Sequence, residues 1–410
     1  MYPIVLVLLD GLGDRPHDAL GGRTANEAAT TTNLDAFAAR GSCGVLYGVG
    51  PGRAPSSEVA HWSMLGYRPD EFPGRAVFEA LGRGQEVSDE HVLAYAALRP
   101  AERRADGWWL TGRPDAERDD DEARRLIDRC DGIEVDGLGF SLEHVLRGEA
   151  VLRISGGADD RVTDSDAFFR AWYPMLRPRA LVPEAERTAD ACEEWTREVM
   201  RRLGGERFNV ITLKWFGRPR HAPSFRERHG VSGGFAAGSA FLRGLGRCVG
   251  LEPIVRVNLD LALVLERLAA GDTFVYVHDK RVDEAGHTKD PRVKRQAIEE
   301  LDTELGTVSE LTSRAIVCVT GDHATPASPN VIHSGDPVPL LVAGPGVRAD
   351  AVTSFGERPC AAGILGQLRG PDLMPVLLNA ADRPLFLGSR PTPVDGADGY
   401  PDREVLEPLI

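Results

Sequence analysis

Residues 1–14 read MYPIVLVLLDGLGD. From residue 3 to residue 9 the run is apolar, unbroken and partly β-branched, the pattern of a strand buried on both faces of a parallel sheet. It ends on Asp10 and a glycine-bearing turn. Residues 273–277, 315–320 and 340–342 read the same way, as buried parallel strands. Helical patterns stand between such runs, for example RQAIEELDTEL at 295–305. Strands alternating with helices predict an α/β fold built on an open sheet flanked by helices.

The strand-like runs cluster near both ends of the 410-residue chain. The stretch 87–231 differs in texture, with the acidic patch at 119–122, the pair Trp108 and Trp109, and an amphipathic stretch near 189–203. This predicts a discontinuous α/β domain, 1–86 with 232–388, carrying an inserted smaller domain at 87–231. The remainder, 389–410, is rich in Pro, Asp and Gly and reads as a surface tail.

Composition narrows the function classes. Hydrophobic residues make up 42% and charged residues 27%, which suits a folded globular chain and not a disordered one. The net charge of -14 argues against nucleic acid or an anionic membrane as partner, because both need a basic footprint. Cys43, Cys130, Cys192, Cys248, Cys318 and Cys360 are scattered without C-x-x-C spacing, so reduced thiols are expected and a disulfide framework or zinc knuckle is not. The opening apolar run lacks a basic flank and is too short for a signal peptide, and no window reaches the ~18 apolar residues of a membrane span. A cytoplasmic protein is expected. Of the 48 basic residues only Lys214, Lys280, Lys289 and Lys294 are lysine, so each of the four carries more information than usual.

In open α/β sheets ligands gather at the carboxyl ends of the strands, and here those ends hold metal-ligand residue types. The first strand runs into Asp10, the second into Asp283 and His287 (HDKRVDEAGH), and the third into Asp322 and His323 (TGDHATP). His333 stands ten residues after His323. Asp283 and His287 share a face if their segment is helical. Singly, an Asp after a strand is more often a helix cap than a ligand. Five such residues at strand ends, with His333, are hard to explain as caps and core histidines, and carboxylate with imidazole suits zinc, manganese or iron. A nucleophile is also present: APSSEVAHWSML reads as a turn and then a helix whose first turn holds Ser56 and Ser57. One serine suits the ordinary N-cap role, while backbone N–H groups at a helix start attract anions and a nearby metal would lower a serine hydroxyl's pKa. Metals, a serine and an anion site together point to phosphoryl transfer.

These motifs resemble the archaeal-type branch of the cofactor-independent phosphoglycerate mutases, within the alkaline phosphatase superfamily. The resemblance runs through LDGLGDRP (9–16), GRTANEAAT (22–30), SSEVAHWSMLGYRP (56–69) and GRAVFEALG (74–82), then TGR (111–113), VTDSD (162–166), DEAGH (283–287), TGDHATP (320–326), HSGDPVPLLV (333–342) and RPLFLG (383–388). It implies an alkaline-phosphatase-like α/β domain with an inserted substrate domain and two divalent metal ions, manganese or zinc. One ion would be held by Asp283, His287 and His333, the other by Asp10, Asp322, His323 and the Ser57 oxygen. Ser57 would receive the phosphoryl group and pass it on, and Lys280 would lie near the transferring phosphate. The same comparison leaves Lys289 and Lys294 as solvated lysines. The implied reaction interconverts 2- and 3-phosphoglycerate through a phosphoserine, acting on a small phosphorylated substrate.

The inserted domain departs from the family pattern. VLAYAAL has Tyr95 and Ala97 where the family has Arg and Asn; VTDSDAFF has Phe168 in place of His; a glycine-rich Arg turn has become LKWFG with Lys214 and Trp215. A family arginine near AVLRI aligns with Glu149, with Arg147 or Arg153 as substitutes. Lys214, Tyr95, Arg113 and Arg153 are therefore the expected substrate-facing residues. Planar bidentate arginines matter at carboxylates and phosphates, and each lost charged contact costs about 1.5–3 kcal/mol. The alternative expectation is a relative with a changed substrate: a phosphatase, or a transferase on a phosphonate or nucleotide-linked compound, with a pocket less anionic and more aromatic. A silent relative would have lost a ligand or the serine, and this chain retains all of them.

Overall fold

Every residue of the first strand, β1 (Ile4–Leu9), is fully buried. The reason is its setting: it has a parallel neighbour on each side and helices over both faces, so no position along it can tolerate a polar side chain. The computed structural model describes residues 1–115, 118–166 and 173–384; Phe168 and the expected tail at 389–410 lie outside the described residues. Two units are resolved, one formed by Met1–Phe72 with Ala222–Ile410 and the other by Pro73–His221.

After β1 the strands are β2 (Ser42–Tyr47), β3 (Val92–Arg99), β4 (Ala101–Arg104), β5 (Gly107–Leu110), β6 (Ile133–Val135), β7 (Leu138–Leu146), β8 (Glu149–Ser155), β9 (Tyr173–Pro174), β10 (Val210–Gly217), β11 (Gly233–Ala237), β12 (Glu252–Val255), β13 (Phe274–Asp279), β14 (Ile316–Thr320), β15 (Val338–Ala343) and β16 (Gly366–Arg369). The first unit holds a sheet in the order β12-β11-β13-β1-β14-β15-β2-β16. Its core joins Val5, Val7 and Leu9 of β1 to Ile298 and Leu301 of the helix Pro291–Glu304 and to Phe37 of the helix Thr32–Ala38.

One expectation is corrected here. The apolar run at 340–342 reads as a parallel strand, yet β15 pairs antiparallel with both β14 and β2. Parallel neighbours need a crossover element between them. Among the described residues no helix lies between β14 and β15, so the chain turns back on itself, and the returning loop carries His323 and His333.

The second unit contains an antiparallel five-stranded sheet, β10-β3-β8-β7-β6, and a small sheet, β4-β5-β9. The helices Asp120–Asp128 and Glu186–Arg202 cover one face of the larger sheet through Leu126, Ile127, Cys192, Trp195 and Val199. The helix Arg75–Gly82 packs on the opposite face through Ala76, Val77 and Ala80 against Leu93 and Val151. Gly217, at the end of β10, passes so close to Pro73 that an added Cβ would lie 2.0 Å from the Pro73 carbonyl oxygen. Among the described residues no helix is long and apolar enough to cross a membrane.

His229 in the first unit makes stability pH-dependent. It is buried, its Nε2 donates to the Leu65 carbonyl at 2.8 Å, and its ring packs on Phe225. Burial pushes its pKa down to about 4. In the unfolded chain an imidazole takes its proton near pH ~6.5, so between those values the unfolded state binds more protons. The contribution is complete above pH ~6.5 and is lost as pH falls toward about 4. His229→Gln, which can still donate to Leu65, is expected to flatten this dependence in urea melts at about pH 7.5 and about pH 5; an unchanged slope would mean that other groups dominate.

Candidate metal centre

Three adjacent parallel strands, β13, β1 and β14, end level with one another, Leu9 beside Asp279 and Leu8 beside Thr320. The residues just beyond their carboxyl ends are therefore delivered to one edge of the sheet. β1 delivers Asp10 and β14 delivers Asp322 and His323. β13 runs into the helix Arg281–His287, which carries Asp283 and His287 one turn apart, His287 Nε2 lying 3.2 Å from Asp283 Oδ1. Ser57 is the first residue of the helix Ser57–Met64.

Two groups of ligand atoms lie within 4.8 Å of one another: Asp10, Asp322 and His323, and Asp283, His323 and His333. His323 belongs to both. Its Nε2 is 3.4 Å from Asp10 Oδ1, 3.2 Å from Asp322 Oδ2 and 3.1 Å from Ser57 Oγ. His333 Nε2 is 3.8 Å from Asp283 Oδ1 and its ring stacks on His323 at 3.8 Å between centroids. His287 sits on the rim, more exposed, 5.6 Å from His333 between ring centroids. Ser56 takes the N-cap position of the serine helix without a capping bond, its hydroxyl donating instead to Glu58 at 2.7 Å. Ser57 is thereby left with its hydroxyl on His323. Lys280 occupies the N-cap position of the Arg281–His287 helix; its side chain is exposed and makes no ion pair among the described residues.

The hydrogen bonds orient the donors. Thr325 Oγ1 donates to Asp283 Oδ1 at 2.7 Å and so accepts from His323 Nδ1 at 3.2 Å, which turns the His323 Nε2 lone pair toward the carboxylates. His333 Nδ1 donates to the Pro55 carbonyl at 2.9 Å, which leaves its Nε2 lone pair facing Asp283. Gly11, at φ 64, allows this closeness, since a Cβ there would lie 2.5 Å from Thr325 Oγ1 and 2.8 Å from Asp283 Oδ1.

Burial, then the negative charge of Asp322 and Asp283, pushes the Asp10 carboxyl up. Burial likewise raises Asp322. For Asp283 burial is outweighed by the His287 hydrogen bond and the neighbouring imidazoles, which hold it well below the usual carboxylate range. His323 is pushed down to about 3, by burial first and His333 second. Asp10 Oδ1 and Asp322 Oδ2 are buried and have no hydrogen-bond partner among the described residues. Leaving carboxylate oxygens buried and unsatisfied is costly, and a cation would relieve it. The donor set, oxygen and imidazole nitrogen without thiolate, fits a divalent ion.

Sequence reasoning missed a surrounding layer. His278 Nε2 donates to Asp10 Oδ2 at 3.1 Å, and His61 Nδ1 lies 2.6 Å from the Ser57 carbonyl and 3.5 Å from Asp322 Oδ2. Tyr276 donates to His61 Nε2 at 2.5 Å. His61 stands one turn beyond Ser57, and Tyr276 and His278 alternate on β13, so helical and strand periods could have flagged all three. Lys294 is a correction: read as solvated, it is fully buried. Lys289 is also engaged, donating to the carbonyls of Pro326 and Val331.

The expected substrate-facing residues all lie in the second unit. Lys214 and Tyr95 are partners across β10 and β3. Lys214 is buried, 3.9 Å from Asp166, and its pKa is pushed down to about 8 by burial and then by Arg99. Arg99, not foreseen from the sequence, is buried 3.6 Å from the same Asp166. Arg113 is exposed, and its charge acts on both Lys214 and Arg99. Arg153 is not brought to this group: it is level with Leu93, not Ala97, and donates to the Glu86 carbonyl. Arg147 is exposed in the β7–β8 turn at φ 58. The Tyr95 hydroxyl donates to Glu149 at 2.5 Å. Trp215, at the β10 bulge, has the Arg75 guanidinium 4.2 Å and the Lys214 ammonium 4.4 Å from its ring.

Comparison with known proteins places this arrangement. The Metalloenzyme superfamily model matches residues 2–380. The 2,3-bisphosphoglycerate-independent phosphoglycerate mutase 2 of Methanocaldococcus jannaschii is 32% identical over 409 residues, covering 94% of this chain and 95% of that protein. The 2,3-bisphosphoglycerate-independent phosphoglycerate mutase of Methanopyrus kandleri is 35% identical over 412 residues, covering 93% and 96%. Among solved structures, a Pyrococcus horikoshii protein aligns with a TM-score of 0.76 at 28% identity, over 95% of this chain and 99% of that one. The cofactor-independent phosphoglycerate mutase of Thermoplasma acidophilum aligns with a TM-score of 0.65 at 28% identity, over 93% and 100%.

Proposed function

The chain belongs to the Metalloenzyme superfamily, among the archaeal-type cofactor-independent phosphoglycerate mutases, and from that premise we propose that it transfers phosphoryl groups through Ser57 at a two-metal centre. The observation that carries this reading is the Ser57 hydroxyl, 3.1 Å from His323 Nε2 beside two buried carboxylate oxygens that lack partners among the described residues. Asp10, Asp322 and His323, with the Ser57 oxygen, would hold one divalent ion and Asp283, His287 and His333 the other, manganese or zinc by donor type. Bound there, the ions supply Lewis-acid polarisation of phosphoryl oxygens and acidify the serine hydroxyl.

The chain's own residues do the rest. Ser57 Oγ forms a bond to phosphorus while the substrate's ester P–O bond breaks, and the departing oxygen takes up a proton. The serine's place at a helix start turns backbone N–H groups toward the phosphoryl oxygens. His278 and His61 hold the carboxylates and the serine backbone in place. In a mutase the phosphoserine then returns its phosphoryl group to the other hydroxyl of the same glycerate; in a phosphatase water takes it.

Phosphoglycerate interconversion is the first reading of substrate. A changed substrate is the second, and one observation favours it. On the second unit's sheet face the cations are already engaged: Lys214 and Arg99 share the Asp166 carboxylate, Glu149 accepts from the Tyr95 hydroxyl, and Lys214 and Arg75 also lie against the Trp215 ring. Such a face suits a ligand with less negative charge than phosphoglycerate. Phosphorus NMR of the full chain with Mn2+ and 3-phosphoglycerate decides between them. Accumulation of 2-phosphoglycerate without free phosphate supports the mutase. Free phosphate alone makes it a phosphatase, and an unchanged spectrum with metal bound moves the search to phosphonate and nucleotide-linked esters.

A further inference from the structure

Lys294 projects from the helix Pro291–Glu304 into the interior and is fully buried. Its three N–H donors are all used: Nζ donates to the carbonyls of Gly11 at 2.9 Å, Gly13 at 2.7 Å and Thr325 at 2.8 Å. None of the three goes to a carboxylate. Burial lowers its pKa, and the charges of Asp14, Glu357 and Asp283 oppose that. A fully buried ammonium ringed by backbone carbonyls is the arrangement by which proteins bind a dehydrated monovalent cation.

The three carbonyls belong to the two loops that carry the first ligand group. Gly11 and Gly13 come just after Asp10, and Thr325 just after Asp322 and His323. The same loops are cross-linked at short range: Gly11 N–H donates to Asp322 Oδ1 at 3.1 Å, and Thr325 N–H donates to the Gly13 carbonyl at 3.1 Å. Without the ammonium, the three carbonyl oxygens would converge with only the Thr325 N–H, 3.3 Å from the Gly11 oxygen and 3.1 Å from the Gly13 oxygen, left among them. The loops would then move apart, and the spacing between Asp10 and the Asp322–His323 pair would be lost.

We propose that Lys294 is a positioning residue of the metal centre, a tethered ammonium in the place of a monovalent cation, which sets the spacing of the Asp10 and Asp322–His323 loops. The proposal rests on the metal-centre reading above. It is tested on the full chain, stripped of metal, by calorimetric titration with Mn2+ alone, with circular dichroism to establish folding. Lys294→Met, of similar length without the charge, is expected to weaken Mn2+ binding about 10–100-fold, the range for lost outer-shell partners. Lys294→Ala is expected to show the same loss, and added propylammonium should restore affinity where 1-propanol does not. Equal Mn2+ affinity in the Met variant overturns the proposal and leaves the metal centre standing. Rescue by propanol as well as by propylammonium overturns it in favour of plain packing. Failure of both variants to fold even with propylammonium overturns it in favour of a general role in folding. A wild-type chain that takes up no Mn2+ removes the metal centre and this proposal together.

Discussion

Ser57→Ala is expected to lower phosphoryl transfer by at least about 10^4-fold while leaving the fold in place and weakening Mn2+ binding far less, by the loss of one ligand oxygen. Ser57 supplies no helix cap: the N-cap position belongs to Ser56, and the Ser57 hydroxyl has His323 Nε2 as its hydrogen-bond partner. Alanine is a good residue for the first turn of a helix, so stability should change by no more than about 0.5 kcal/mol. Asp10, Asp322 and His323 remain to bind the ion. Activity should therefore fall without a matching fall in metal affinity or melting temperature. The direct measurement is mass spectrometry of the peptide containing Ser57 after acid quench of the wild-type reaction, with the variant as control. Turnover retained in Ser57→Ala, or a phosphoryl group found on another residue, would sink the assignment of the nucleophile.

Asp322→Asn is expected to act in opposite directions with and without metal. Asp322 is fully buried; Oδ1 accepts from Gly11 N–H, and Oδ2 faces His323 with no donor of its own among the described residues. Asparagine keeps the shape and the acceptor for Gly11, and its amide can donate to the His323 Nε2 lone pair. It also removes one of the negative charges that, after burial, raise Asp10. The metal-free variant should melt higher than metal-free wild type, by on the order of 2 °C. Its affinity for Mn2+ should fall by about 100-fold or more, since losing a ligand costs at least as much as losing an outer partner. Mn2+ at a thousandfold excess over its Kd would stabilise the wild type by about 4 kcal/mol, and the variant should lose most of that gain. Scanning calorimetry with chelator and with Mn2+ reads both effects. A variant less stable than wild type without metal would show that the carboxylate is structural and not a ligand held ready.

Much of the site is legible in the sequence because burial leaves a periodic trace. A strand such as β1, covered on both faces, must be continuously apolar, so the polar residue that ends it stands out, and Asp10, Asp322 and His323 can be read that way. The helix Arg281–His287 is recognisable there only as a condition, yet its spacing places Asp283 beside His287 at 3.2 Å. Lys294 leaves the same kind of trace. It precedes the buried Ile298 by four residues and Leu301 by seven, so helical spacing puts it on the inward stripe, while the ordinary habit of lysine points outward. His278 is hidden because the apolar run stops at Val277, whereas the strand continues to Asp279.

The sequence alone determined the α/β class, the strand ends that bear ligand types and the serine at a helix start, since each depends on residues near one another in the chain. Tertiary structure decided the antiparallel return of β15, the sharing of His323 between two ligand groups, the partnering of Tyr95 with Glu149 and the carbonyl ring around Lys294. Periodicity reports whether a side chain is covered. It does not report which distant atoms cover it, and the protonation, orientation and spacing of a buried polar group are set by those atoms.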